Sequence, residues 1–308
     1  MDKNIATILK EVLTSAGWTQ EQLARRLDVP QKTLNLWVNE RSKPRVKNVE
    51  KINNLHRDIV GRFVVDAGTL TSTEKAACDK RITVKKITAN TELLNKITLH
   101  LTYHTNTIEG STMTLSDVEE VLADDNRVLA NKSAKEQIEA RNHRAALYYL
   151  LDELNAQGKD FKWSKDLILN THLRLMNTLI SDAGRYRNHG VRIMGSRAIL
   201  ANYLSVPQRI NEFVEKINKP VTNLVEHLAW THATFERIHP FSDGNGRTGR
   251  LIIFIQALQS GVVPPLIVKE RKQAYYKYLE VAQLEEKYDL LRLFIAESIL
   301  FTGNLIQK

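Results

Sequence analysis

The sequence predicts a mainly α protein: a small N-terminal bundle of short helices, then a larger all-α domain interrupted by one short β-hairpin. Three observations carry this prediction. Apolar residues recur at helical spacing from Ile5 onward, and again over most of the chain after residue 91. Helix start and stop signals punctuate the first 60 residues. Only one stretch, 191–206, alternates loosely instead. The chain has 308 residues, of which 43% are hydrophobic and 26% charged, enough for a sizeable core and unlike a disordered or collagen-like chain. Its one cysteine, Cys78, cannot form an internal disulfide and fits a reducing cytoplasm.

The elements follow in order. Ile5, Ile8, Leu9, Val12 and Leu13 mark a first helix that Gly17 is placed to end. Thr19-Gln20-Glu21-Gln22 has the pattern of a capping box and opens a second helix through Leu27. After a turn at Asp28-Val29, Pro30 suits the first turn of a third helix running to about Asn39. On that helix Leu34 and Trp37 face inward, while Gln31, Lys32 and Asn35 face outward. A basic loop with Arg41, Lys43 and Arg45 leads to a fourth helix carrying Val49 and Ile52. Residues 61–94 read as a helical connector. Gly61, Gly68 and the Thr69–Thr73 cluster break the pattern, a helix is expected from Thr73 or Glu74, and Thr91 is the expected cap of the next. Residues 95–308 form the larger domain, with the hairpin at 191–206 around Gly195-Ser196.

Charge narrows the partners. The net charge is +9, and residues 1–60 hold eleven Lys/Arg against seven Asp/Glu. Residues 61–100 hold seven against four, so the first third carries most of the excess. Such a surface suits a polyanion, or is merely a solvated basic face. The most apolar run, Leu251 to Leu258, is too short to cross a bilayer. Asp2 and Lys3 lead into an amphipathic stretch rather than a signal peptide, so no membrane association is expected.

The segment from Trp18 to Arg41 resembles the helix-turn-helix of Cro-like repressors, apart from Pro30, where a small polar cap is commoner. The resemblance implies DNA as a partner. Gln31, Lys32 and Asn35 would lie in a major groove, with Arg41, Lys43 and Arg45 near phosphates. Such modules often bind as homodimers, an assembly that the single chain leaves open.

The most informative stretch is His239-Pro-Phe-Ser-Asp-Gly-Asn-Gly-Arg-Thr-Gly-Arg250, flanked on both sides by helical pattern. It is a loop feeding a helix N-terminus. Gly244 and Gly246 permit unusual backbone angles and close approach of a ligand. Consecutive amides in such a turn can form an anion nest, to which the following helix adds free N–H groups and a positive dipole end. Arg247 and Arg250, three apart, share a helix face and offer two phosphate forks. Asp243 is a hard oxygen donor for Mg²⁺, and His239 a candidate general base. These residues point to phosphate or nucleotide chemistry without choosing between transfer and hydrolysis.

The stretch resembles the complete signature of the Fic family, His-Pro-Phe-x-Asp-Gly-Asn-Gly-Arg-x-x-Arg. Gly184-Arg185-Tyr186-Arg187 resembles that family's Gly-x-Tyr-Arg segment, and 191–206 its target-holding flap. The resemblance covers roughly residues 95–300 and implies a protein adenylyltransferase. Such an enzyme moves AMP from Mg²⁺-ATP to a Tyr, Thr or Ser hydroxyl of a protein target or of itself. His239 would take the hydroxyl proton and Asp243 hold the metal. Arg247 and Arg250 would hold the β- and γ-phosphates, and Asn245 would help hold the α-phosphate. Tyr275 and Tyr276 would line the base or ribose pocket. Thr105-Asn106-Thr107-Ile108-Glu109-Gly110 resembles the family's inhibitory motif, in which Glu109 would occupy the Arg250 fork. Two other readings keep the same residues: a DNA-binding regulator whose Fic domain senses nucleotide, and a Fic enzyme that removes AMP or transfers another phosphate-containing group. His100 and His104, four apart on a helical pattern, have a spacing that could bind a metal, whereas His227 and His232, five apart, lack the His-Glu-x-x-His pattern; all four read as structural or surface residues.

Overall fold

Asn4 opens the first helix by accepting from the Ala6 N–H at 3.2 Å, and Gly17, at φ 64°, closes it as a left-handed cap. That helix, α1 (Ile5–Ala16), is followed by α2 (Gln20–Leu27), whose Thr19/Gln22 capping box is fully formed. Asp28, at φ 59°, turns the chain, and α3 (Gln31–Val38) begins after Pro30 with no side-chain cap. Next comes α4 (Val46–Val60). The computed structural model describes residues 4–60, 65–193 and 196–307, so Asp2, Lys3, Gly61, Met194 and Gly195 lie outside the described residues.

The chain divides into two compact units, Met1–Val65 with Arg271–Tyr278, and Asp66–Glu270 with Leu279–Lys308. The first unit is built on Leu9, Val12, Leu23, Leu34, Trp37 and Ile52, all buried. Burying each of these side chains contributes roughly 1.5–3 kcal/mol. Within this unit Asp58 accepts from the Tyr278 hydroxyl at 2.8 Å and from the Arg271 guanidinium at 3.3 Å.

The second unit begins earlier than the sequence pattern predicts. Helix α5 spans Ala67–Cys78, because the Asp66 carboxylate caps the Thr69 N–H at 2.7 Å. Gly68 and the threonines therefore lie inside a helix, and the Thr73 hydroxyl bonds back to the Thr69 carbonyl at 2.7 Å. After α6 (Val84–Thr88), Asn90 rather than Thr91 caps α7 (Thr91–Ile108), since its side-chain oxygen reaches the Leu93 N–H. Capping boxes open α8 (Leu115–Ala123) and α9 (Ala134–Gln157). Further along lie α10 (Lys165–Leu175), α11 (Val206–Ile217), α12 (Leu224–Ile238), α13 (Asn245–Gln259), α14 (Lys272–Glu285) and α15 (Asp289–Gln307). Helix α13 is buried along nearly its whole length, its polar first turns included, and packs against α7, α9, α10 and α12. Its N-terminus therefore ends inside the helical stack.

The expected hairpin is a correction. Among the described residues, 191–202 contains no strand, and a short 3₁₀ turn at Tyr203–Ser205 leads into α11. The backbone donors that a ladder would need are taken elsewhere. The Ala201 N–H donates to the Arg237 carbonyl at 3.1 Å, and the Arg197 N–H to the Glu280 carboxylate at 2.8 Å. Among the described residues, no helix is long and apolar enough to cross a membrane.

Candidate active site

The site is the joint between α12 and α13. Helix α12 ends at His239, whose φ of 48° places a non-glycine residue in the left-handed region. Such a conformation costs about 1–2 kcal/mol, so its surroundings must hold it. Arg187 does much of that. Its guanidinium donates to the carbonyls of His239 (2.7 Å), His189 (2.8 Å) and Ala201 (2.5 Å), and its backbone N–H to the Pro240 carbonyl at 2.9 Å. Arg187 is buried, and burial lowers its pKa.

Phe241 is fully buried and lies flat on the His172 ring, centroids 3.6 Å apart and planes 2° from parallel. His172 accepts from the Gly184 N–H at its Nδ1 (3.0 Å) and donates from Nε2 to the Asp243 carbonyl (2.9 Å). That pattern requires the neutral ring, and burial pushes its pKa down to about 4. Gly184 has φ 76°, and a Cβ there would meet the Leu173 Cβ at 2.9 Å. The Asn245 amide spans the loop, bonding both the N–H and the carbonyl of Phe241 at 2.9 Å. Ser242 donates to Asp182 at 2.7 Å. Gly244, at φ 79°, caps α13, leaving the first N–H groups of that helix without intrahelical partners.

His239 stands at the rim, its Nδ1 3.3 Å from the Glu236 carbonyl and 3.6 Å from the Glu236 carboxylate. Beyond it lie the two arginines, each with a side chain only 4% exposed. Arg250 is held from α7. Its Nη2 contacts Glu109 at 2.5 Å and its Nε donates to the Thr105 hydroxyl at 2.5 Å. Arg247 is held from α9, with Nη1 3.1 Å from Glu139, and its Nη2 is 3.5 Å from Asp243. Gly246 makes room for this arrangement, since a Cβ there would stand 2.5 Å from the Glu109 carboxylate. His143 lies buried against Thr102 at 2.9 Å, and burial with the Arg250 and Arg247 charges pushes its pKa down to about 3.

The Asp243 carboxylate accepts from the Gly244 N–H at 2.6 Å and is half exposed. A single open carboxylate beside an anion nest fits Mg²⁺, which needs few protein ligands when phosphates and water supply the rest. No cluster of three or more His, Cys, Asp or Glu able to hold a metal occurs among the described residues.

The structure thus brings His239, Asp243, Gly244, Asn245, Gly246, Arg247, Arg250 and Glu109 together. Tyr275 is buried and Tyr276 is 40% exposed; both fall in the segment grouped with the first unit, where their rings pack 5.2 Å apart. Gln31, Lys32, Asn35, Arg41, Lys43 and Arg45 are all exposed, and the Asn35 amide donates to Gln20 at 3.1 Å. His104 accepts from the Lys269 N–H at 3.2 Å, and burial pushes its pKa down to about 4. Sequence reasoning missed Glu236, Glu139, His172 and Asp182, and gave Arg187 no task of its own. Glu236 was within reach, one helical turn before His239. The others come from elements far away in sequence and carry no local signal.

Comparison with known proteins agrees with this architecture. Residues 162–257 match the Fic/DOC family, and residues 9–56 match a helix-turn-helix family. The chain is 32% identical over 194 residues to protein adenylyltransferase fic-1 of Caenorhabditis elegans, covering 62% of this chain and 37% of that protein. It is 33% identical over 199 residues to protein adenylyltransferase Fic of Aedes aegypti, covering 63% and 39%. The match thus spans less than two fifths of these relatives. Among solved structures, the fold resembles C. elegans Fic-1 (TM-score 0.66, 22% identity, 93% of this chain and 83% of that one). It also resembles a Fic-domain signaling protein from Bacteroides thetaiotaomicron (TM-score 0.62, 22% identity, 78% and 97%). The chain carries a Fic/DOC domain preceded by a helix-turn-helix domain.

Proposed function

We propose that the Fic domain is a protein adenylyltransferase that moves AMP from ATP to a Tyr, Thr or Ser hydroxyl, on a protein target or on the chain itself, and that Glu109 restrains it. The observation that carries this reading is the anion cradle at the α13 N-terminus, with two buried arginines on one side and His239 on the other. The phosphates would lie on the first N–H groups of α13, Asn245 contributing its backbone because its amide is spent on Phe241. Arg247 and Arg250 would grip the β- and γ-phosphates. Asp243 would hold Mg²⁺, which neutralises charge on the departing pyrophosphate when bound. The target hydroxyl loses its proton to His239 as its oxygen bonds to the α-phosphorus. The bond to the β-phosphate oxygen breaks, and pyrophosphate leaves. This chemistry depends on positioning and charge stabilisation.

The restraint follows from the Arg250–Glu109 contact. A carboxylate at 2.5 Å occupies the fork that a γ-phosphate needs. The test uses α-labelled ATP with Mg²⁺ on wild type, Glu109→Gly, and Glu109→Gly combined with His239→Ala. Covalent label should rise in the first variant and vanish in the second. Absence of label in all three, with the protein as its own acceptor and with a cell extract supplying targets, would sink the transferase reading.

The first unit is proposed to bind DNA, with α3 in the major groove and Arg41, Lys43 and Arg45 on phosphates. Support comes from the exposure of all six residues beside a well-packed core. Replacing Arg41 or Lys43 by Ala should weaken a gel shift on any sequence and lower the salt slope by about 1 each. A full-length protein that binds no DNA at low salt contradicts the assignment.

A further inference from the structure

Within the second unit one buried ionisable group has no part in the chemistry above. Glu236 is 4% exposed, one turn before His239 on α12. Its Oε2 stands 3.6 Å from His239 Nδ1, and its Oε1 has no hydrogen-bond partner among the described residues. A carboxylate that is buried and half satisfied is expensive, and native proteins keep such groups mainly where they are used. The same residue also presents its backbone carbonyl to Nδ1 at 3.3 Å.

The other charged and titratable groups facing this pair are His232 on α12 itself, Arg250 from α13, and Arg187, which grips the His239 carbonyl. Burial alone would raise the Glu236 carboxyl. His239, His232 and Arg250 together hold it below the ordinary value, so it is ionised at neutral pH.

We propose that Glu236 is a positioning residue for His239: its carbonyl fixes the ring proton on Nδ1, and its carboxylate stabilises the imidazolium that forms when Nε2 takes a proton. This inference rests on the reading of His239 as general base. The consequences are specific. With Nδ1 protonated, Nε2 carries the lone pair that a target hydroxyl needs. As the proton arrives at Nε2, the ring becomes a cation beside the Glu236 carboxylate, 3.6 Å from Nδ1. Arg187 completes the device by holding the His239 backbone, so that the ring cannot swing away from the carboxylate.

The experiment reads the ring directly and needs no transferase activity. Full-length protein labelled with ¹⁵N-histidine is titrated by NMR, with His239→Ala identifying the resonance. In wild type the neutral ring should show the Nδ1-protonated tautomer. In Glu236→Gln, which keeps the shape and loses the charge, the ring should bind its second proton about tenfold more weakly. Glu236→Asp, whose shorter side chain draws the carboxylate back from Nδ1, should shift in the same direction by less, and it serves if the Gln variant does not fold. An Nε2-protonated neutral ring in wild type, or variant proton affinities within twofold of wild type, overturns the proposal. Should AMP transfer be found, Glu236→Gln should lower kcat at least tenfold at neutral pH with the KM for ATP unchanged. Equal losses at every pH would show a merely structural role and contradict it.

Discussion

The two halves of the site are held by different kinds of bond. The half around His239 is tied by donors and acceptors that reach the backbone: Arg187 on four carbonyls, His172 between Gly184 and Asp243, Asn245 across Phe241. These bonds close on the chain's own backbone. The half around Arg247 and Arg250 is tied by carboxylates, Glu139 and Glu109. Those are the bonds a phosphate makes to the same guanidinium groups. One half is therefore tied to the backbone and the other to exchangeable carboxylates, which would suit the proposed transferase, in which a base is held still while a triphosphate enters.

The largest expected effect is acid sensitivity, and it tests the buried packing beneath both halves. His172, His143 and His232 are buried with pKa values pushed down by burial to about 4, 3 and 4. Because the folded values lie below the unfolded value of about 6.5, the unfolded chain binds more protons between pH 6.5 and 4. Stability should be full above pH 6.5 and fall steadily as the pH drops toward 4. Denaturant melts that are flat across that window would show that these histidines are not buried neutral. Next in size is Arg187→Ala, which takes a donor from four carbonyls and should cost at least about 3 kcal/mol at neutral pH. Nucleotide should add only what any ligand adds to the folded chain it binds, leaving those carbonyls unpaired. In Glu109→Gly, by contrast, ATP should take the vacated Arg250 fork and bind more tightly than to wild type, with about 2.7 kcal/mol of stabilisation at a hundred times its Kd. A Glu109→Gly variant that binds Mg²⁺-ATP no more tightly than wild type would erase the distinction between the halves.

Much of this was legible in the sequence, and the reasons are local. Gly17, the Thr19/Gln22 box and the inward pair Leu34 and Trp37 act within a few residues, so their pattern alone sets α1 to α3. The stretch from His239 to Arg250 is legible because the nest, the helix start and both arginines lie within twelve residues. The start of α5 was misread because one carboxylate, Asp66, outweighs a run of Gly and Thr. The hairpin was misread because alternation says nothing about where backbone donors go, and those of Arg197 and Ala201 go to other elements. Glu139 and His172 reach the site from 108 and 71 residues away in sequence, so only the fold reveals them.

The most direct test of this division is the initial rate of covalent labelling from α-labelled ATP, measured side by side for wild type and Glu109→Gly. The exchangeable half predicts a rise of at least tenfold on removing the carboxylate, about 1.4 kcal/mol or more, with all label dependent on His239. Equal rates would mean that Glu109 does not compete for the Arg250 fork, and that contradicts the account.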